Sequence, residues 1–413
     1  MLTHDENELL TRIGPGTAMG AVFRRYWLPA VLSEELPVPD GAPLRVRLLG
    51  EDLVAFRATD GRVGLLHEAC PHRHASLALG LNAECGLRCI YHGYKFDVDG
   101  RCVDTPTEPA DSNFAAKIRA RAYPTYEAGG VVWAYLGPVD RRPPFPEFEW
   151  IGLPRAHSQA YKVHEECNYA QATEGAIDSA HAGVLHRRSP WGGEALPGLG
   201  EDLSPELEVE YTQYGLRYSA LRKVNGGSDT LARITAVVLP SWAFIPPNGV
   251  PPRANRRLAN AFVPRDDEST WHFQFFYDRS EPIDTAFRQV EGGIELDGDY
   301  KKLSNRANWY RQDRERTKNF SGIAGILVQD HAVGETQGRI LDRSQEHLGT
   351  SDVAIIAWRR LMLRTAKLLA ETGEAPPGVH AEIPFGAVSS ETLTFSDATS
   401  WRELAPLAPA LVK

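Results

Sequence analysis

The chain of 413 residues has only five cysteines, an odd number and too few for a disulfide framework. It has no basic excess: 45 Lys and Arg face 54 Asp and Glu, a formal net charge of −9. That balance lacks the electrostatic footprint of a DNA- or RNA-binding protein. It also has no long apolar run. The longest uncharged stretch, Ile234 to Pro252, contains five prolines and could not form a membrane-spanning helix. The N-terminus, MLTHDENELLTR, is charged and has no apolar signal-peptide core. Internal repeats and low-complexity runs are missing as well. No Gly-x-Gly-x-x-Gly follows a strand. The nearest stretch, Gly14-Pro15-Gly16 to Gly20, has the wrong spacing and a proline in the loop. A plant-type ferredoxin cysteine run is also absent. These absences predict a soluble protein of a reducing, cytoplasmic compartment, with neither nucleic acid nor membrane as partner.

What is present is ordinary globular composition, 42% hydrophobic and 24% charged, which excludes wholesale disorder. At roughly 150 residues per domain the length predicts two or three domains. From Leu44 to about Gly137, short apolar runs (VRLLG, LVAFRA, VGLLHEA, VVWAYLG) alternate with turns, and the Asp-Gly pairs at 60–61 and 99–100 suit hairpins. A Pro-rich segment at 138–148 reads as a linker. Beyond it the patterning predicts a polar helix over 166–185, strands near 206–224, 231–245 and 257–277, a long polar helix around 298–318 and a strong helix near 352–372. The last forty residues carry few signals. The expected organisation is α+β, with a β-rich domain over 1–150 and a mixed domain over 151–413.

Two constellations carry chemistry. In the first, Cys70-Pro71-His72 and Cys89-Ile90-Tyr91-His92 each supply a thiol and an imidazole from a short loop, with sixteen residues between His72 and Cys89. Two cysteines and two histidines also suit tetrahedral zinc. Classical fingers, however, pair cysteine with cysteine and histidine with histidine. In a Rieske 2Fe–2S cluster one iron takes two thiolates and the other two imidazoles, so mixed loops are what that chemistry requires. Cys85 and Cys102 are expected to be buried thiols outside the ligand set.

In the second, NYAQATEGAIDSAHAGVLH over 168–186 places Glu174, Asp178 and His181 on one helical face. His186 lies about 140° further round an ideal helix, so both histidines meet one metal only if the helix widens or ends between them, which Gly183 permits. Two histidines and a carboxylate, with coordination positions left open, form the array of dioxygen-activating non-haem iron. The residue pattern alone leaves the carboxylate open among several aspartates.

The chain resembles the oxygenase component of Rieske non-haem iron ring-hydroxylating oxygenases, and most closely the phthalate 4,5-dioxygenase group. The family pattern appears as Asn168, Gln171, Glu174, Asp178, His181 and His186, with further similarity in GPGTAMG, RRYWLP, FSGIAGILVQD and ETQGRILDRSQEHLG. The resemblance implies that His181, His186 and Asp330 bind a mononuclear Fe(II), and that O2 is co-substrate. It implies that Asp178 bridges an iron histidine to a Rieske histidine of an adjacent subunit. Asp178 and Asn168 are the expected catalytic residues, and Glu174 and Gln171 the expected supports of the ligands. The implied fold is an all-β Rieske domain followed by a helix-grip catalytic domain, in head-to-tail trimers or stacked trimers. With no dinucleotide loop of its own, the chain requires a separate flavin- and iron–sulfur-containing reductase to bring electrons from NAD(P)H.

The expected reaction is cis-dihydroxylation of an aromatic, carboxylated substrate; monooxygenation, including O-demethylation or ether cleavage, uses the same ligands. A buried substrate carboxylate needs a paired cation, ideally arginine. Arg217, Arg222 and Arg233 are candidates, and Arg233 heads the apolar stretch ITAVVL. Val184 and Trp242 are further expected contacts. The loop over 189–205 follows the iron ligands, and its Glu201-Asp202 would repel a dianion, which favours a monocarboxylated or ether-linked aromatic over phthalate. Lys117, Arg119 and Arg121 alternate as on a strand, either as a solvated face or as a dock for an acidic reductase.

Overall fold

Both Asp-Gly pairs turn hairpins. Gly61 and Gly100 have φ of 86° and 77°, and the turns close through Ala58 N–H to Arg62 O and Asp97 N–H to Arg101 O, each 2.9 Å. The structure, a computed structural model, describes residues 1–186, 198–247, 255–283, 294–315, 320–380, 383–396 and 399–413.

After two N-terminal helices, the first half is all-β apart from short 3-10 turns. Strands β1 (Trp27–Leu32), β9 (Thr125–Ala128) and β10 (Val131–Tyr135) form one sheet in the order β1-β10-β9. Strands β2 (Leu44–Leu48), β3 (Glu51–Arg57) and β4 (Val63–His67) form a second. The short strands β5 (Leu81–Ala83), β6 (Gly86–Arg88), β7 (Lys95–Phe96) and β8 (Cys102–Asp104) form a third; one Cys-His loop leads from β4 into β5 and the other joins β6 to β7.

The second half is one antiparallel sheet of eight strands: β11 (Ser158–Glu165), β12 (Glu206–Thr212), β13 (Gly215–Val224), β14 (Asp229–Val238), β15 (Trp242–Ile245), β16 (Arg257–Asp266), β17 (Ser269–Tyr277) and β18 (Glu391–Ser396). The order is β11-β17-β16-β15-β14-β13-β12, with β18 paired to β14. Helices α3 (Tyr169–Ile177), α4 (Ile326–Thr336) and α5 (Val353–Thr372) pack with this half. The N-terminal helices α1 (His4–Thr11) and α2 (Ala18–Phe23) also pack on α5, although they precede the β-rich half in sequence. Tyr169 OH donates to Leu10 O at 2.7 Å, and Asn168 Nδ2 to Thr11 O at 3.0 Å, so the N-terminal segment braces α3.

The Pro-rich stretch is not a slack linker. Phe148 stacks on Trp150 at 4.7 Å, and Trp133 of β10 stacks on Trp242 of β15 at 5.8 Å, so an aromatic layer joins the two halves.

Four further expectations fail. Over 298–315 the only helical segment is a 3-10 turn, Arg306–Arg311, in which Trp309, Tyr310 and Arg311 take positive φ. The Asp297 side chain accepts from the backbone of Asp299 and Lys301, which favours a turn over a helix there; residues 316–318 lie outside the described ones. The helix predicted over 166–185 is shorter, ending at Ile177. The weakly patterned C-terminus supplies a sheet strand, β18, whose Thr394 opposes Leu231 of β14. Cys85 and Cys102 are only partly buried.

Candidate active site and electron-transfer centre

The two Cys-His loops have the same backbone. Cys70 N–H donates to Ala75 O at 2.9 Å and Cys89 N–H to Tyr94 O at 2.8 Å; His74 N–H returns to Cys70 O and Gly93 N–H to Cys89 O. The fourth residue after each cysteine, His74 or Gly93, carries the positive φ that the tight knuckle needs, 61° and 75°. A Cβ on Gly93 would come within 2.7 Å of the Pro106 ring. The knuckles bring the His72 and His92 rings to 4.5 Å between centroids, and His72 stacks on Tyr94. Cys70 and Cys89 are buried beneath them. Burial, together with the neighbouring Cys89, pushes the Cys70 thiol up to about 11. His92 Nδ1 is buried with no hydrogen-bond partner among the described residues. Two buried sulfurs, two facing imidazoles and an orphaned ring nitrogen suit a 2Fe–2S cluster held as Cys2His2.

The second constellation forms where α3 stops. The helix is capped by Asn168, whose Oδ1 accepts from Ala170 N–H, and Tyr218 OH donates to Ile177 O at its far end. Asp178 then turns extended (ψ 117°) and its Oδ1 accepts from Ala180 N–H at 2.7 Å, which starts a 3-10 turn over His181–Gly183. The chain therefore leaves the helix before Asp178, not between the histidines, and the shared helical face of Glu174, Asp178 and His181 does not exist. Gly183 sits where a Cβ would lie 2.7 Å from Leu199 O. The turn brings the His181 and His186 rings within 5.1 Å.

Helix α4 supplies the carboxylate. Asp330 Oδ1 lies 2.8 Å from His186 Nε2 and 3.5 Å from His181 Nε2. His186 Nδ1 donates to Gln329 Oε1 at 2.7 Å, and Gln329 Nε2 donates to Ile323 O at 2.9 Å, which fixes the amide and turns His186 Nε2 toward Asp330 and the site. Asp178 Oδ2 stands 3.5 Å from His181 Nδ1. Burial disfavours charge on His181, but Asp178 and Asp330 outweigh it and raise its pKa to about 10. Burial likewise opposes ionisation of Asp330, yet His186 and His181 hold its carboxyl well below the ordinary range. These three ligand atoms lie within 4.8 Å of one another, a donor set that fits one Fe(II).

A cavity of about 710 Å³ opens on this triad, within the size range of small-molecule sites. Asp178, His181, Val184, His186, Arg233 and Asp330 line it. Gln171 and Glu174 also border it, whereas Asn168, Arg217, Arg222 and Trp242 do not. Asn168, expected as catalytic, donates its amide to Thr11 O and Asp267 O and acts as a helix cap. Arg222 donates to Ser179 O at 2.6 Å, and Arg217 pairs with Glu210. Trp242 lies in the aromatic layer away from the triad. Glu201 and Asp202 accept from the backbone N–H groups of Asn225 and Lys223, so their repulsion of a dianion is not exerted in the cavity. Residues 189–197 of the expected pocket loop lie outside the described ones. Arg119 donates to Asp99 O and Arg121 pairs with Glu51.

Gln171 and Glu174 support rather than ligate. Gln171 Nε2 donates to the carbonyls of Gly334 and Gly338 and its Oε1 accepts from Leu341 N–H, tying α3 to the end of α4. Glu174 takes Arg343 at 2.9 Å and Arg359 at 2.7 Å, all three buried, and touches no member of the triad. Gln329 is the positioning residue that sequence reasoning missed; its place immediately before Asp330 was the available signal.

The family described as LigXa C-terminal domain like matches residues 134–408, and the Rieske [2Fe-2S] domain matches 26–126. The chain is 42% identical to the phthalate 4,5-dioxygenase oxygenase subunit of Pseudomonas putida, over 98% of this chain and 94% of that protein. It belongs to the Rieske non-haem iron aromatic ring-hydroxylating oxygenases. A second member, the 3-chlorobenzoate-3,4-dioxygenase oxygenase subunit of Comamonas testosteroni, is 36% identical over 92% of this chain and 91% of its own. Among solved structures, a Pseudomonas putida CBB5 NdmA variant with caffeine aligns with a TM-score of 0.63 at 18% identity, covering 93% of this chain and all of that one, a likeness of fold. As an oxygenase component of this family, the chain uses a Rieske 2Fe–2S cluster and a mononuclear iron to oxygenate an aromatic substrate with O2, and it works with a separate electron-donating protein.

Proposed function

We propose that this oxygenase cis-dihydroxylates a carboxylated aromatic, with the cluster on Cys70, His72, Cys89 and His92 and the iron on His181, His186 and Asp330. The observation that carries the reading is Arg233. It is 7% exposed, lines the cavity that opens on the triad, and has no carboxylate partner among the described residues. Its recorded bond is to Pro246 O at 3.1 Å. Burial and the nearby Arg222 lower its pKa to about 10, so an anionic group in the cavity would relieve it.

The iron, when bound, supplies O2 activation, with electrons arriving one at a time from the cluster. This chain's residues do the rest. Arg233 orients the acid, the apolar wall around Val184 excludes water, and Asp178 holds His181 through Nδ1. His72 and His92 are partly exposed at a surface where Ile90 and Tyr91 are 62% and 51% exposed. That face suits docking against the Asp178 region of a second copy, as in a head-to-tail trimer. The donor is a flavin- and iron–sulfur-containing reductase drawing on NAD(P)H, in the cytoplasm; among the described residues no helix is long and apolar enough to cross a membrane.

The test is a product screen of aromatic acids and their neutral analogues with a surrogate reductase and isotopically labelled dioxygen. Dihydroxylation places both labelled atoms in a cis-diol of an acid. One labelled atom in a phenol would instead identify the monooxygenase or O-demethylase chemistry. Turnover confined to neutral analogues would overturn the role given to Arg233.

A further inference from the structure

Beside the iron triad, at the next residue of Asp330's helix, lies a second convergence of ligand atoms. Glu165 closes β11, His272 sits on the neighbouring β17, and His331 follows Asp330 on α4. In the β11–β17 register Val163 opposes His272 and Glu165 opposes Thr270, which turns the Glu165 and His272 side chains to the same face of the sheet. All three residues are at least 97% buried and border the same cavity as the iron triad.

We infer that Glu165, His272 and His331 form a second site for a divalent transition-metal ion, clamping α4 to the sheet.

Geometry is the first support. His272 Nδ1 lies 3.0 Å from His331 Nε2, and His331 Nε2 lies 3.6 Å from Glu165 Oε2. Metal–nitrogen bonds near 2.1 Å set neighbouring ligand atoms roughly 3–3.5 Å apart. The iron triad shows the matching pair of 2.8 and 3.5 Å. Its ligand atoms and those of this group each fall within 4.8 Å of one another.

Hydrogen bonding is the second. His272 Nε2 faces Asn260 Oδ1 at 3.1 Å, an acceptor that requires a proton on Nε2 and leaves Nδ1 as a lone pair. Gln329 accepts from His186 Nδ1 in the same manner. Cys167 Sγ lies 3.6 Å from Glu165 Oε1 and occupies that oxygen, while Glu165 Oε2 is buried with no hydrogen-bond partner. The nearest cation does not compete for it, because Lys302 donates to Glu335 Oε1 at 2.6 Å and to His164 O. A buried carboxylate oxygen without a donor is costly, and a bound cation would supply the missing partner. Gly334 on α4 admits this carboxylate: a Cβ there would lie 3.3 Å from Glu165 Oε1.

Zinc is the probe, since two imidazoles and one carboxylate suit it. The test uses full-length protein carrying His186→Ala, which disables the iron triad, alone and combined with Glu165→Gln or His272→Asn. Each is incubated with zinc chloride, passed through gel filtration and analysed for metal, with the Rieske visible spectrum as the check of folding. The expected result is one zinc retained per chain in His186→Ala and none in either double variant, with a zinc-dependent rise in Tm only in the former. No retained zinc in His186→Ala, or equal retention in all three, would overturn the site. The two double variants alter different strands, so misfolding of one leaves the other to decide. Should His186→Ala still hold its mononuclear iron, the assignment of that iron's ligands fails, while the zinc comparison still decides the second site.

Discussion

At the scale of single residues, one amide decides how His186 faces the iron. Gln329 accepts from His186 Nδ1 and is itself fixed by Ile323 O, so Gln329→Leu removes the group that sets the tautomer. Outer partners of metal-bound histidines are typically worth about 10–100-fold in metal affinity. Gln329→Leu should therefore lose mononuclear iron to a chelator at 10–100-fold lower concentration, with the Rieske spectrum unchanged. Arg233 is the matching residue for substrate. Removing a partner from a buried charge pair typically costs about 3–5 kcal/mol, so Arg233→Met should weaken acid substrates at least 100-fold and leave neutral analogues nearly unaffected. Steady-state kinetics on paired acids and esters checks it. For the cluster, Cys89→Ser should abolish the red-brown visible absorption while iron at the second site persists.

At the scale of elements, the end of α3 is held from two sides. Glu174 is locked between Arg343 and Arg359 in the interior, and α5, which carries Arg359, packs on the N-terminal helices. Glu174→Gln leaves the buried Arg343 without its carboxylate and Arg359 with Glu346 alone, and should destabilise the fold by about 3–5 kcal/mol in denaturant unfolding. The pH dependence follows from sign. Burial raises the Glu174 pKa, but Arg343 and Arg359 outweigh it and lower the folded value. Its contribution is therefore present above the unfolded carboxylate pKa and is lost as pH falls through the depressed folded value. The gap between wild type and Glu174→Gln should narrow on acidification; a constant gap from neutral to strongly acidic pH would contradict the buried pairing.

At the scale of the whole molecule, the Rieske imidazoles and the Asp178–His181 pair are both partly exposed. If electrons pass between neighbouring copies, a mixed assembly of differently tagged His92→Ala and His186→Ala chains regains part of its activity. One junction then sets an intact cluster beside an intact iron. Stable hybrids with no turnover would place the path within one chain. Asp178→Asn should keep both metals and bind substrate, yet slow oxidation of the reduced cluster, as read by stopped-flow absorbance.

Local chemistry made the cluster ligands legible in sequence: each Cys-His pair sits within one tight knuckle, so four residues and a turn specify the geometry without distant contacts. His181 and His186 were a weak signal by themselves and gained meaning only from the Cys-His loops upstream, and the helical face expected beside them does not form. Asp330 was reached only through family resemblance, because it comes from a helix 144 positions beyond His186. That helix is buried along Leu327, Val328, Gln329, His331, Ala332, Gly334 and Glu335, and so shows no amphipathic period. The roles of Asn168, Arg222 and Trp242 were misread because residue type reveals a capacity for hydrogen bonding or stacking, not the partner that takes it up. Thr11, Ser179 and Trp133 took them up instead. The sequence by itself determined the two-part order of domains and the ligand chemistry of each loop, since both rest on contacts between near neighbours. Only the tertiary structure decided which carboxylate meets the histidines, which arginine faces the cavity and which glutamate lies buried beside His272 and His331, because those choices depend on strands and helices brought together from distant parts of the chain.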